Sequence, residues 1–128
     1  MKPVIKRILI VLILIAVLIP FANRGIRFYR YQQQMEALEL SEIHPETLPD
    51  GTYSGSYDVV LITAEVEVEV SDGMIREIHL VHDHDRGARA EVVVQRVIEN
   101  QSLNVDTVSG ATDSSRVILK AIEKALTQ

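Results

Sequence analysis

Five hydroxyl side chains are concentrated in one short stretch of the chain, VDTVSGATDSS, at positions 105–115. The stretch directly precedes a helical pattern, and its centre, SGAT at 109–112, contains only small side chains. Hydroxyl and Asp side chains in such a place commonly cap a helix by accepting hydrogen bonds from its free N–H groups. Small residues there also let backbone N–H groups approach a phosphate, which the positive end of the helix dipole favours. The stretch therefore indicates either a capped helix or a site for a phosphate-bearing ligand.

The elements that position this stretch are predicted by two changes of hydrophobic period. Val and Glu alternate in EVEVEV, residues 65–70, which predicts a strand with one buried and one exposed face. DGTYSGSYDVV before it and MIREIHLVH after it predict two further strands, with a turn at SDG. Helical spacing of apolar residues then predicts one helix over about 86–99 and another over about 113–126. The predicted fold class is α+β: an antiparallel three-stranded meander followed by two helices.

The beginning of the chain is apolar and flanked by basic residues. Residues 8–22 read ILIVLILIAVLIPFA, with Lys6 and Arg7 before them and Arg24 after them. This run spans about 22 Å of a ~30 Å hydrocarbon core, so its flanks must extend it. We expect an uncleaved N-terminal transmembrane helix. The alternatives are a buried core helix and a cleaved signal peptide, but Pro20 stands where a small-x-small cleavage site needs a small residue.

Charge divides the chain into three parts. Residues 1–30 carry six basic and no acidic side chains, residues 31–49 carry four acidic and no basic ones, and residues 50–128 carry seven basic and fourteen acidic ones. We predict a membrane anchor at 1–30, a stalk or linker at 31–49 and a domain at 50–128. The acidic domain argues against a nucleic-acid partner, which needs clustered Lys and Arg. The absence of Cys excludes a thiolate nucleophile and thiolate-bound metals.

The run DTVSGAT at 106–112 resembles, at every fixed position, the D-x-x-[ST]-G-A-T motif of the FMN-binding domain family. That family includes the covalently flavinylated subunits of sodium-pumping NADH:quinone reductase and of related ion-translocating ferredoxin oxidoreductases. The resemblance also covers DGTYSGS, DRGARAE and VIENQSLNVDTVSGATDSSRVILKAIEKAL, and so roughly residues 50–126.

The resemblance implies that FMN is joined through its phosphate to the hydroxyl of Thr112 by a dedicated flavin transferase. A helix starting at Asp113 would then place its N–H groups beside the phosphodiester. The predicted cofactor-binding residues are Asp106, Ser109, Gly110, Ala111, Thr112, Ser114 and Ser115.

A membrane role in electron transfer is also implied by the resemblance, with redox partner proteins of a membrane chain and without stand-alone catalysis. We expect the FMN domain on the extracytoplasmic side of the cell membrane, where a covalent bond prevents loss of the flavin. The basic side chains do not decide the orientation, because three lie on each side of the apolar run.

Two other interpretations remain open. His82 and His84 share a face if they lie on a strand, which suits a metal pair or flavin contact, but an exposed strand end is the ordinary explanation. A metal-dependent hydrolase at this place lacks a third ligand and a base. The alternative function is a cofactor-free anchored binding or structural module, in which the SGAT loop only caps a helix.

Overall fold

A computed structural model describes residues 2–83 and 87–127. The helices are α1 Pro3–Glu36, α2 Gly87–Ala90, α3 Val92–Asn100 and α4 Thr112–Leu126, with a 3₁₀ turn at Pro45–Thr47. The strands are β1 Gly51–Val59, β2 Ile62–Ser71 and β3 Met74–Asp83. The predicted α+β class is confirmed: an antiparallel meander is followed by helices and preceded by a long apolar helix. The helix predicted over 86–99 is interrupted at Glu91, and position 86 lies outside the described residues.

The sheet has the order β1–β2–β3 and buries one face. Alternate residues of β2 point into the core: Ile62, Ala64, Val66, Val68 and Val70. The glutamates between the valines are exposed, as the alternation predicted. A register shift pairs Val70 with Ile75 and Val68 with Ile78, so both isoleucines of β3 face inward although they are three positions apart.

Helix α4 crosses the buried face of the sheet and contacts β1 most closely at Gly55. A Cβ atom at Gly55 would lie 2.4 Å from the backbone oxygen of Ala121 and 2.4 Å from the backbone nitrogen of Ala125. Only a residue without a side chain permits this approach. The close contact fixes where α4 lies on the sheet and therefore where its first residue, Thr112, is presented.

Helix α1 is about 51 Å long at 1.5 Å per residue. It is the one helix in the described ranges that is long and apolar enough to cross a membrane, and its apolar side chains are exposed. An uncovered apolar surface of this kind is unfavourable in water, so the helix fits a single-pass membrane anchor. Pro20 lies inside the helix, which membrane-spanning helices tolerate.

Residues 31–49, which comprise the end of α1 and the connection to the sheet, pack against α4. Its apolar side chains Met35, Leu38 and Ile43 are buried in the core. Backbone groups of residues 38–41 make hydrogen bonds of 2.6–2.9 Å with the α4 side chains Arg116, Lys120 and Glu123. This segment, predicted as a stalk, thus contributes to the packed unit, and a domain boundary at residue 50 stays a prediction.

Candidate functional site

The motif residues form a tight turn that leads directly into α4. The backbone N–H of Ala111 donates to the backbone oxygen of Val108 at 2.9 Å, which closes a four-residue turn. Gly110 occupies its third position with φ of 80°. A positive φ at that position is the signature of a type II turn and favours Gly, since a Cβ atom would be strained there. The glycine of the motif is therefore required by the backbone.

Ser115 holds this turn together from inside the protein. Its Oγ donates to the backbone oxygen of Ala111 at 2.7 Å and accepts from the backbone N–H of Val108 at 3.2 Å. The side chain is fully buried. Its hydroxyl thus positions the turn, while the predicted contact of Ser115 with a cofactor stays a prediction.

Thr112 is exposed and is the first residue of α4, one position earlier than expected. Ala111 occupies the N-cap position, and no side chain in the described part of the protein caps the helix. The first helical N–H bond runs from Ser115 to Ala111, so the N–H groups of residues 112–114 have no intrahelical acceptor. The hydroxyl of Thr112 consequently lies at a helix end that carries partial positive charge.

The carboxylate of Asp113, which could have capped α4, contacts α1 instead. The hydroxyl of Tyr31 donates to Oδ2 of Asp113 at 2.6 Å across a separation of 82 residues. Tyr31 lies nine residues after Ala22, the last residue of the apolar run. Burial, the hydrogen bond and the negative charge of Asp113 raise the pKa of Tyr31 above its usual value. Tyr31 therefore remains a protonated donor at physiological pH.

The start of the motif is held by an arginine of α3. Nη1 of Arg96 donates to the backbone oxygens of Asp106 at 2.6 Å and Thr107 at 3.2 Å. The residue Asp106 is exposed, as is Ser109, whereas Ser114 is buried. Arg96 thus anchors the beginning of the motif and Ser115 anchors its end. Thr112, at the start of α4, remains exposed to solvent.

A cation and a cavity lie beside the turn. A Cβ atom at Gly110 would be 3.9 Å from Nη1 of Arg89, an exposed residue of α2 with no ion pair among the described residues. A cavity of about 300 Å³ is lined by Tyr31, Ile62 and residues 110–114. An accessible hydroxyl, free N–H groups, a nearby guanidinium and an adjacent cavity suit a ligand with a phosphate attached at Thr112.

Sequence reasoning did not identify Tyr31, Arg89 or Arg96 as parts of this site. Tyr31 lies in the segment interpreted as a stalk, and Arg96 lies in a helical pattern. Arg89 lies in DRGARAE, a run that contributed to the resemblance but gave this residue no role. Only the folded chain brings the three side chains to the turn.

The histidine cluster was the other candidate centre. His84 lies outside the described residues, and the backbone of His82 pairs with Ala64 in the sheet. In the part of the chain that the structure describes, no three His, Asp or Glu side chains are placed to hold a metal ion. Flavin contact by these histidines stays a prediction.

Comparison with known proteins identifies the family. Residues 62–127 match the FMN-binding domain, from the start of β2 to the end of α4, which is about half of the chain. The chain belongs to the FMN-binding domain family. The resemblance predicted from the DTVSGAT motif is confirmed, and FMN is the ligand that this family implies.

The FMN-binding chain is also similar to a protein of Treponema pallidum (strain Nichols) that is named "Uncharacterized protein". The two are 33% identical over 88 residues, which cover 66% of this chain and 24% of the relative. The chain spans about a quarter of that relative's length.

Proposed function

We propose that this FMN-binding protein carries its flavin covalently, as a phosphodiester on Thr112, and serves in electron transfer at the extracytoplasmic face of a membrane. The observation that supports the attachment is the exposed Thr112 hydroxyl at a helix N-terminus without a side-chain cap. A phosphodiester retains one negative charge, and the free N–H groups of residues 112–114 stabilise that charge.

The chemistry of attachment explains the small side chains of the turn. A bond forms between Oγ of Thr112 and the phosphorus of the flavin phosphate, and the hydroxyl loses its proton. FMN alone has no good leaving group on phosphorus, so the donor must be a flavin phosphoanhydride bound by the transferase. Its P–O–P bond breaks as the new bond forms, and the second phosphate group leaves with the proton of the hydroxyl. Gly110 leaves open space in the turn, since among the described residues only Arg89 comes within 4 Å of a Cβ position there. The guanidinium of Arg89 offsets the negative charge during the transfer.

Bound flavin supplies the redox chemistry, and the residues of this chain hold and orient it. Arg96 and Ser115 hold the turn, so Thr112 is presented in one position. Helix α1 keeps the domain beside a membrane, where we place the flavin transferase and the redox partner proteins. The protein is then an electron-carrying module of a larger system, without a substrate of its own.

The cofactor-free module is the second candidate, in which the SGAT loop serves only as a helix cap. The observed cap geometry does not favour it, because the N-cap residue of α4 is Ala111, whose side chain cannot accept a hydrogen bond. Asp113 instead bonds Tyr31 and Ser115 bonds the turn, whereas the exposed hydroxyl of Thr112 suits a phosphate ligand at this end of the helix.

The test is co-expression of the full chain with a flavin transferase, followed by intact-mass measurement after denaturation. We expect the mass to rise by that of FMN less one water. Thr112→Ala should abolish the increase and Thr112→Ser should preserve it. Thr107→Ala is the matched control within the same motif and should load normally. Covalent flavin on the Thr112→Ala variant would refute the assignment.

A further inference from the structure

The cavity beside Thr112 is assembled from three distant parts of the chain. Its walls come from the end of α1, from the start of β2 and from the first turn of α4. Among its lining residues, Tyr31 and Ile62 are the two with large apolar surfaces. Ile62 is 4% exposed and belongs to the core, whereas Tyr31 is half-buried. The cavity therefore has one aromatic wall, which the membrane helix provides.

The position of the Tyr31 ring is fixed by its own hydrogen bond and by contacts of the next turn of α1. Its hydroxyl is bonded to Asp113, the residue after Thr112. One turn further along α1, Oε1 of Gln34 accepts from the backbone N–H of Val60 at 3.2 Å, and Met35 is buried in the core. These contacts hold the last turns of α1 against the domain at the side where the cavity opens. The ring is thus a built wall of the cavity.

A flavin ring system is planar and largely apolar, and it is bound best by flat apolar or aromatic surfaces. A flavin tethered through its phosphate at Thr112 would reach the cavity that begins at that residue. We infer that Tyr31 is a flavin-contacting residue, whose ring packs against the flavin between α1 and the start of α4. This inference rests on the proposed attachment of FMN at Thr112.

The membrane helix then does more than tether the domain. Tyr31 lies nine residues after Ala22, the last residue of the apolar run, which is about 14 Å along a helix. The flavin is accordingly held close to the membrane surface by the same helix that crosses the membrane.

Flavin fluorescence tests this contact. A phenol ring that touches an excited flavin donates an electron to it and thereby quenches the flavin fluorescence. The full-length chain is loaded by a transferase, and the fluorescence lifetime is measured per bound flavin in detergent. Tyr31→Phe keeps the ring but removes the oxidisable phenol, so the lifetime should lengthen severalfold. Tyr31→Leu should lengthen it similarly and also increase quenching by aqueous iodide, since the wall is lost. Tyr29→Phe is the control, because Tyr29 is 62% exposed on the same helix. The flavin fluorescence lifetime of this variant should equal that of the unaltered protein.

The outcomes separate this inference from the proposed function. Absence of covalent flavin on the unaltered chain overturns the proposed attachment. Covalent flavin with the same lifetime and iodide quenching in both Tyr31 variants overturns the contact and leaves the attachment standing. A variant that is merely less stable, with unchanged lifetime, also counts against the contact. Should Tyr31→Leu not fold, the lifetime of Tyr31→Phe decides alone.

Discussion

The hydroxyl of Ser115 lies 2.7 Å from the backbone oxygen of Ala111, the residue that precedes Thr112, our proposed site of flavin attachment. The same hydroxyl accepts from the backbone N–H of Val108 at 3.2 Å, so one buried side chain joins both ends of the turn. The position of the exposed Thr112 depends on the buried Ser115. Substitutions can separate the effect of Ser115 on stability from its effect on flavin attachment.

Ser115→Ala should destabilise the protein and slow flavin attachment. Removal of the hydroxyl leaves the N–H of Val108 without its acceptor, which costs about 1–3 kcal/mol for a buried donor. Urea unfolding followed by circular dichroism, with flavin loading on the folded variant, measures both effects. Ser102→Ala is the control, because Ser102 accepts one hydrogen bond from Asn104 in an exposed turn. Equal stability and equal loading of the two variants would contradict a positioning role for Ser115.

Arg89→Gln should slow flavin attachment by roughly two- to fivefold, the range expected for an exposed charge interaction. The reason is loss of the positive charge beside Gly110 and the phosphate of the incoming flavin. Initial rates of flavin loading are measured at low and high salt. High salt should reduce the difference in rate between Arg89→Gln and the unaltered protein. Arg89→Lys retains the charge and should be affected less. Arg76→Gln removes an exposed charge of β3 that pairs with Asp72 in the preceding turn, and this variant should load normally.

Gly55→Ala should destabilise the fold by about 2–3 kcal/mol, the upper part of the range for overpacking. The added Cβ atom would lie 2.4 Å from backbone atoms of Ala121 and Ala125, so α4 must move away from β1. Urea unfolding tests this, and a shifted α4 should also reduce flavin loading of the folded fraction. Gly25→Ala is the matched control, since no atom of the residues that the structure describes lies within 4 Å of a Cβ atom there. An unchanged unfolding midpoint for Gly55→Ala would show that α4 does not approach β1 so closely.

The proposed topology can be tested with a phosphatase reporter that is active only after export, fused after Gln128. We expect this reporter to be active when the apolar run is intact. Leu14→Arg, which places a charge near the middle of that run, should reduce membrane insertion by the ~2.5–3.5 kcal/mol cost of a central charge. Activity of a reporter that functions only in the cytoplasm, fused at the same position, would exclude an extracytoplasmic FMN domain.

The motif, the strands and the apolar helix are readable from the sequence because each is a local pattern. EVEVEV specifies one buried face of β2 whatever it packs against, and SDG specifies the turn after it. DTVSGAT indicates the flavin family because five fixed residues within seven consecutive positions carry the signal. Period and motif are both properties of residues that are close in the chain, so these predictions needed no knowledge of packing.

The surroundings of Thr112 were decided by tertiary structure. Asp113 meets Tyr31 across 82 residues, and Gly110 meets Arg89 from another helix. The acidic segment 31–49 reads as a solvated stalk because its few apolar residues show no clear period. Met35, Leu38 and Ile43 are nevertheless buried against α4, since the apolar surface of that helix extends beyond what the sheet covers. Such contacts depend on which surfaces remain uncovered after the sheet and α4 have packed. A local sequence pattern cannot predict these surfaces.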